Sequence, residues 1–428
     1  MAPPRTGPEA VALAPGRMLR AAVDDDIEAI VALETEAFGA SDGPGVRGHL
    51  TAAGAIGDWT VVVDGTEVVA ASGLLAHRMR LDGCPFSGGQ IEYVVTHPDV
   101  RRQGLVRAQF AWHHRRAAAR GDLALFITGI PYLYRRLGYG YGLDYPPFLL
   151  PSPAASADIA EPASVGSPAG GLRFRPATGG DLEAIRALDS SRPATGLRVE
   201  RDGLAWSTIV AICAPDTFEH LTVVERDGRV VGWMRTQDKP EDDRVYLAAA
   251  AVDADEAPTT ARHMVEWVRN RAGAHVLVVF DQAGSTFSRH LVDAPGLGGS
   301  ARHDHGIYVR VPDPVALLDA LRPVLSARFA ASRYADRDGE VVISLYDRGV
   351  ALDLVGGRVA AVRSVPGIED PFAGGEVGVA PDWFGALAFG RWGAIGLEQR
   401  ADDVTLGRRR GLMDVLFPAV DADVVGDF

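Results

Sequence analysis

The residues with the clearest chemical content lie between positions 90 and 142. Gln90-Ile-Glu-Tyr-Val-Val-Thr-His-Pro-Asp-Val is a β-rich run, followed by the basic turn Arg101-Arg102-Gln103-Gly104 and by Leu105-Val106, where a helix is expected to begin. Helix N-termini leave N–H groups unpaired and carry partial positive charge, and a glycine lets an anion approach the backbone. A pyrophosphate would sit on the amides of Gln103, Gly104, Leu105 and Val106, with Arg101 and Arg102 as fixed charges. Downstream, Thr128-Gly-Ile-Pro-Tyr-Leu-Tyr-Arg-Arg-Leu-Gly-Tyr-Gly places Tyr134 on a short helix before a Gly-x-Gly turn.

Together these two segments resemble the GCN5-related N-acetyltransferases (GNAT). That superfamily's coenzyme A motif, Arg/Gln-x-x-Gly-x-Gly/Ala, is matched by Arg101-Arg-Gln-Gly104-Leu-Val106, with Val106 in place of the small last residue. Its aromatic-Tyr-x-x-x-Gly-aromatic motif is matched by Leu133-Tyr134-Arg-Arg-Leu-Gly138-Tyr139. Over residues 18–428 the chain is similar to the enhanced intracellular survival (Eis) family, which has two acetyltransferase-like domains, a sterol-carrier-like third module and an ending of an acidic residue and Phe.

The resemblance implies acetyl-CoA as the acetyl donor and no metal. It makes Val94, Val95 and Thr96 the strand-end amides facing the donor, Tyr93 a cleft wall, Tyr134 the general acid and the Phe428 carboxylate the base, with Asp427 beside it at the substrate. It further implies acceptors with primary amines (aminoglycosides, polyamines, lysine side chains) and a homo-hexamer. An amine attacks a thioester only when neutral, the tetrahedral oxyanion needs a donor such as the N–H near Val94, and the departing thiolate needs a proton, which Tyr134 can give.

Glu92 is a rival base, making the chain a protein or metabolite acetyltransferase; strand alternation puts it on the face of Val94 only if no bulge intervenes. A second alternative is a lipid-binding or scaffold protein using the third module, with Trp383 and Phe389 as its aromatic residues. His303-x-His305 lacks the further ligands of a zinc site, and His113 and His114 read as packing or solvent-exposed residues rather than catalytic ones. Asp24–Asp26, Asp42, Asp144 and Asp427 are candidate cleft charges for a cationic acceptor.

The elements that must position these residues repeat. Leu-Arg-Ala-Ala-Val-Asp-Asp-Asp-Ile-Glu-Ala-Ile from Leu19 returns as Phe-Arg-Pro-Ala-Thr-Gly-Gly-Asp-Leu-Glu-Ala-Ile from Phe174. Asp-Gly hairpins follow in both copies, flanked by Thr60-Val-Val-Val and Thr222-Val-Val. In the first copy the β-rich run at 90–96, a helix over 105–120 and a strand over 123–128 complete the pattern. The second copy has Glu256-Ala-Pro-Thr in place of Arg-Arg-Gln-Gly, acid where phosphate would bind, and reads as a degenerate domain. The expected organisation is a disordered tail (1–17), a catalytic GNAT domain (18–150), a Pro/Ala/Ser/Gly linker (151–171), a second GNAT-like domain (172–306) and a sterol-carrier-like α+β domain (307–428). That last part should hold a strand over 307–311, a helix over 314–329 and a hairpin turning at Gly356-Gly357. The fold class is α/β (α+β), each GNAT-like copy a mixed central sheet flanked by helices.

The 428 residues, 47% hydrophobic, suffice for several cores. With 43 Lys+Arg against 56 Asp+Glu, the net charge of -13 repels nucleic acid. Two cysteines allow one disulfide at most, no apolar run is long enough to span a membrane, and a cytoplasmic protein is expected.

Overall fold

A computed structural model describes residues 10–52, 54–145, 148–151, 171–190, 195–213, 217–240, 243–272, 276–280, 285–292, 297–301 and 306–424. His303, His305, Asp427, Phe428 and nearly all of the expected linker lie outside the described residues.

Strand-forming sequence is dense, and the described residues build three sheets. The first runs in the order Val11–Ala14, Arg17–Ala21, Trp59–Asp64, Glu67–Leu81, Cys84–Thr96, Ala124–Ile127, Gly306–Arg310 and Gly140–Asp144. The second runs Leu297–Ala301, Phe148–Pro151, Val276–Phe280, Arg244–Val252, Arg229–Gln237, Glu219–Arg226 and Leu172–Pro176. The repeat is visible in the pairing: Arg17–Ala21 and Leu172–Pro176 open the two copies at the same offset as the sequence repeat, and each copy has its hairpin and one parallel strand pair. The fold is mixed α/β, with GNAT-type sheets flanked by helices and a further sheet in the C-terminal part.

Three expectations about boundaries need correction. The segment 1–17 contains an edge strand, Val11–Ala14, because Ala14-Pro-Gly-Arg17 turns the chain back onto Arg17–Ala21. The strand expected to open the third module is Gly306–Arg310, and it pairs with Ala124–Ile127 and Gly140–Asp144 in the first sheet. Conversely, Phe148–Pro151 leaves the first copy and pairs with Val276–Phe280 and Leu297–Ala301 in the second. The two copies thus exchange a strand in the same position.

The third sheet runs Arg358–Pro366, Arg348–Val355, Gly339–Ser344, Val377–Val379 and Val404–Thr405. The helix expected over 314–329 is two, Pro314–Ala320 and Arg322–Ala330, since Pro323 cannot donate the N–H that a continuous helix needs there. Trp383 stacks on Tyr141 with centroids 4.7 Å apart, and the fully buried Phe389 packs on Phe86 and Phe126. Both aromatic residues therefore join the third unit to the first sheet.

The helix Leu105–Arg120 lies between Gly104 and Gly121, both left-handed, and buries Leu105, Phe110, Trp112 and Ala117. Each large apolar side chain so buried contributes about 1.5–3 kcal/mol. Helix Asp42–Thr51 of the first copy meets helix Gly203–Ile212 of the second at Gly48, where a Cβ would stand 2.9 Å from the Ala211 backbone. Only glycine allows this approach, which holds the two copies side by side with a cleft between them. Among the described residues no helix is long and apolar enough to cross a membrane, and Cys84 and Cys213 are both free thiols.

Candidate active site

The site begins with a break in sheet regularity. Strand Cys84–Thr96 pairs antiparallel with Glu67–Leu81, but Val95 faces Ala71 while Glu92 faces Gly73, so Cys84–Thr96 carries one extra residue. Tyr93 sits in this bulge with φ 55°. On its other side the same strand runs parallel to Ala124–Ile127 from Gly88↔Ala124 to Gln90↔Phe126, where the ladder stops. Beyond Gln90 the two strands part, and residues 92–96 border the opening.

The bulge also settles the alternation question for Glu92: Glu92 and Tyr93 both line the cleft, whereas Val94 packs beside Ile91, Phe110 and Tyr134. The Glu92 carboxylate accepts hydrogen bonds from Gln90 Nε2 (2.7 Å) and Thr128 Oγ1 (3.3 Å), and His77 Nε2 donates to Gln90 Oε1 (2.9 Å). Burial raises the Glu92 pKa against these hydrogen bonds.

Tyr134 is on the short helix Pro131–Arg135 that follows strand Ala124–Ile127, and it is 8% exposed. Its ring stacks on Phe110 at 5.9 Å and meets Tyr139 at 6.4 Å. Burial, and then the charge of Glu92, push its pKa up to about 12. The phenol therefore keeps its proton at neutral pH, as a proton donor must. His113 and His114 are indeed packing residues: the buried His113 bonds Ser72 Oγ (2.8 Å), and His114 bonds the Tyr139 hydroxyl (3.2 Å).

At the end of strand Cys84–Thr96 lies the basic turn. Arg101, Arg102, Gln103 and Gly104 are all exposed, Arg102 and Gly104 have φ of 64° and 80°, and nothing stands within 4 Å of where a Gly104 Cβ would be. The first main-chain bond of the helix runs from Ala108 N–H to Gly104 O, so the N–H groups of residues 105–107 have no partner within the helix and are available to phosphate oxygens. Val106 is half-buried against the Tyr134 cluster. Arg101 Nε donates to Thr96 O (3.1 Å), and Gln103 Oε1 accepts from Arg17, which also pairs with Asp64. Arg17 belongs to no motif, so no local signal in the sequence marks it.

The cleft between the copies has a volume of about 530 Å3. One wall carries His49, Trp59, Glu92, Tyr93 and Thr128, and the facing wall carries Phe218, Glu219, Arg235 and Lys239. Tyr93 stacks on Trp59 (5.4 Å) and contacts His49 (5.2 Å). Burial and the nearby Glu219 raise the Tyr93 pKa, and burial drops that of His49 to about 3, so both present neutral surfaces. Of the acidic residues expected there, Asp427 lies outside the described residues, and the others do not line the cleft as free charges. Asp26 is paired with Arg20, Asp42 with Lys239 (2.8 Å) and Asp144 with Arg391, while Asp24 and Asp25 are exposed away from the cleft. Glu219 bonds Arg235 and Glu200 pairs with Arg80 (3.0 Å) in the same cleft. Only Glu92 among these carboxylates is held by neutral donors.

In the second copy the turn before helix Ala257–Ala272 is filled by its own charges: Glu256 pairs with Arg226 (3.2 Å) and Arg229, and Asp253 with Arg229 (2.6 Å). An anion there would meet carboxylates already in place.

Fold and site together define a mixed α/β protein whose first copy keeps an open basic glycine turn where the second has paired charges. Residues 18–142 match the family described as acetyltransferase (GNAT) domain. The whole chain is similar in structure to a GCN5-related N-acetyltransferase from Anabaena variabilis (TM-score 0.67, 12% identity, covering 96% of this chain and 100% of that one). It is similar to another from Kribbella flavida (TM-score 0.62, 18% identity, 96% and 98% covered) and to Eis1 from Mycobacterium abscessus (TM-score 0.62, 16% identity, 96% and 99% covered). At these identities the likeness is one of fold. No curated protein matches the sequence.

Proposed function

We propose that the protein is an acetyl-CoA-dependent N-acetyltransferase that transfers acetyl to primary amines by direct attack in a ternary complex. The observation that carries this is the convergence of Glu92 and Tyr134 where the strands part, beside an open turn of unpaired amides. The amides of residues 103–106 receive the pyrophosphate, and the bordering residues 94–96 receive the donor's thioester arm. Glu92, its pKa raised toward that of its task, takes the amine proton directly or through water; Tyr134 gives one to the departing thiolate. Amines such as aminoglycosides, polyamines or lysine side chains enter from the cleft. The third unit is proposed to be sterol-carrier-like and the assembly a homo-hexamer, which light scattering on the purified protein tests.

The experiment is thiol release from acetyl-CoA with a panel of amines. Tyr134→Phe and Glu92→Gln should each lower kcat by about 10²–10⁴-fold with acetyl-CoA binding retained. Removing Phe428 separates the two bases: activity that survives the deletion and falls in Glu92→Gln supports Glu92, and the reverse pattern moves the base to position 428. Full activity in Tyr134→Phe removes the acid assigned here.

A further inference from the structure

A second concave basic site lies in the third unit, remote in sequence from the turn at 101–104. It forms where the loop after helix Arg322–Ala330, the start of strand Gly339–Ser344 and the turn Gly407–Arg409 meet, and it has a volume of about 380 Å3. Four of its lining residues are arginines: Arg333, Arg337, Arg408 and Arg409. In a chain of net charge -13, none of the four forms an ion pair among the described residues.

The nearby carboxylates are occupied otherwise. Glu340 pairs with Arg363, and Asp338 Oδ1 accepts from the Gly356 N–H (2.8 Å). The arginines are nonetheless held in place. Arg333 and Arg337 lie against the Tyr334 ring, 5.0 and 5.2 Å from its centroid, and Arg333 Nη2 donates to the Tyr334 hydroxyl (2.9 Å). Arg408 Nη2 donates to Gly374 O (3.2 Å) and Arg409 Nη2 to Glu340 O (3.3 Å). Each guanidinium has five N–H donors, so most remain unspent on four exposed side chains that line one concavity.

Unneutralised charge gathered in a concavity costs repulsion unless something anionic relieves it. The choice of arginine throughout, with forks already oriented, suits the paired oxygens of phosphate groups, and fixing them beforehand lowers the ordering cost of binding. Leu354 and Leu412 are the only aliphatic side chains in the lining, too few to hold an acyl chain. We propose that this pocket binds a ligand bearing several phosphate groups through Arg333, Arg337, Arg408 and Arg409. The ligand is either a soluble polyphosphate or the phosphorylated headgroup of a lipid. This site does not depend on the acetyl-transfer reading.

Titration calorimetry of the full chain with inorganic tripolyphosphate tests it, run beside Arg337→Ala/Arg408→Ala and, as a control for the other basic turn, Arg101→Ala/Arg102→Ala. The expected result is saturable binding that weakens at least tenfold in the first variant, persists in the second and declines with added salt. Among the described residues the Arg337 side chain makes only the ring contact, so the single variant Arg337→Ala, with an unchanged melting curve, serves if the double variant unfolds. Absent binding by the wild type, equal binding by Arg337→Ala/Arg408→Ala, or loss only in Arg101→Ala/Arg102→Ala would overturn the proposal. Sedimentation with phosphatidylcholine vesicles, with and without phosphatidylinositol bisphosphate, whose headgroup carries several phosphates, separates the sources. Arginine-dependent capture only by the acidic vesicles assigns the headgroup, and tripolyphosphate binding without capture assigns the soluble ligand.

Discussion

Individual buried ionisable groups give this protein two opposing pH dependences. His49 and His113 have their pKa pushed down to about 3 and His114 to about 4, from 6.5, mainly by burial. Below about 6.5 the unfolded chain binds protons that the folded chain refuses, so their contribution is complete above that pH and is lost as pH falls toward 4 and 3. Glu34 acts in the other direction. It is fully buried, neither carboxyl oxygen has a hydrogen-bond partner among the described residues, and burial raises its pKa from 4.5 to about 9. Between those values the folded chain keeps a proton that the unfolded chain releases, so stability falls as pH rises, by about 1.4 kcal/mol per pH unit from this group alone. Glu34→Gln removes the titration while nearly preserving shape. Its Tm should exceed that of the wild type by several degrees at pH 8 and match it near pH 4. A variant less stable than wild type at pH 8 would mean that Glu34 is ionised and stabilised in the fold.

At the scale of elements, the turn at 101–104 is the most exacting piece. Gly104 needs φ 80° and has empty space beside it, so Gly104→Ala meets no clash and costs only the left-handed backbone, about 1–2 kcal/mol. If the turn holds the donor's pyrophosphate, KM for acetyl-CoA should rise about 5–30-fold with kcat nearly unchanged, which initial-rate kinetics will show. An unchanged KM would place the donor elsewhere. This turn and helix Leu105–Arg120 were legible because glycine brackets and apolar spacing are local signals, and the Glu92 and Tyr134 positions came with their motifs. The strand before them extends well beyond the β-rich run at 90–96. It begins at Cys84, six residues ahead of Gln90, and Asp82-Gly83, with φ of 45° and 82°, forms a hairpin turn whose Asp-Gly signal was present but unused. The single helix expected over 314–329 failed for an equally local reason, Pro323. What no local pattern carries is the far wall of the cleft: Glu219, Arg235 and Lys239 reach Tyr93 only through the packing of two copies at Gly48.

The whole molecule is tied together by pairings that ignore the order of the repeats. Gly306–Arg310 lies between Ala124–Ile127 and Gly140–Asp144, and Phe148–Pro151 lies between Val276–Phe280 and Leu297–Ala301, each copy completing the other's sheet. Strand Leu197–Glu200 extends Glu67–Leu81 and pairs in turn with Ala422–Asp423, while one apolar cluster runs from Phe86 and Phe126 to Phe389 and Leu416. This arrangement was invisible in the sequence because strand composition does not name a partner hundreds of residues away. It has a direct consequence for dissection at the repeat boundary. A fragment of residues 10–151 would leave Ala124–Ile127 and Gly140–Asp144 without the strand between them, opening two unsatisfied edges beside Tyr134 and Tyr308's former place. Such a fragment should be aggregated or molten, whereas the intact chain should lose its near- and far-ultraviolet circular dichroism in one coincident urea transition. A well-folded fragment that still binds coenzyme A, or separate transitions for the three units, would show that the exchanged strands are accessories; loss of both in the fragment, with folding recovered on adding the remainder of the chain, would show that they hold the first sheet together.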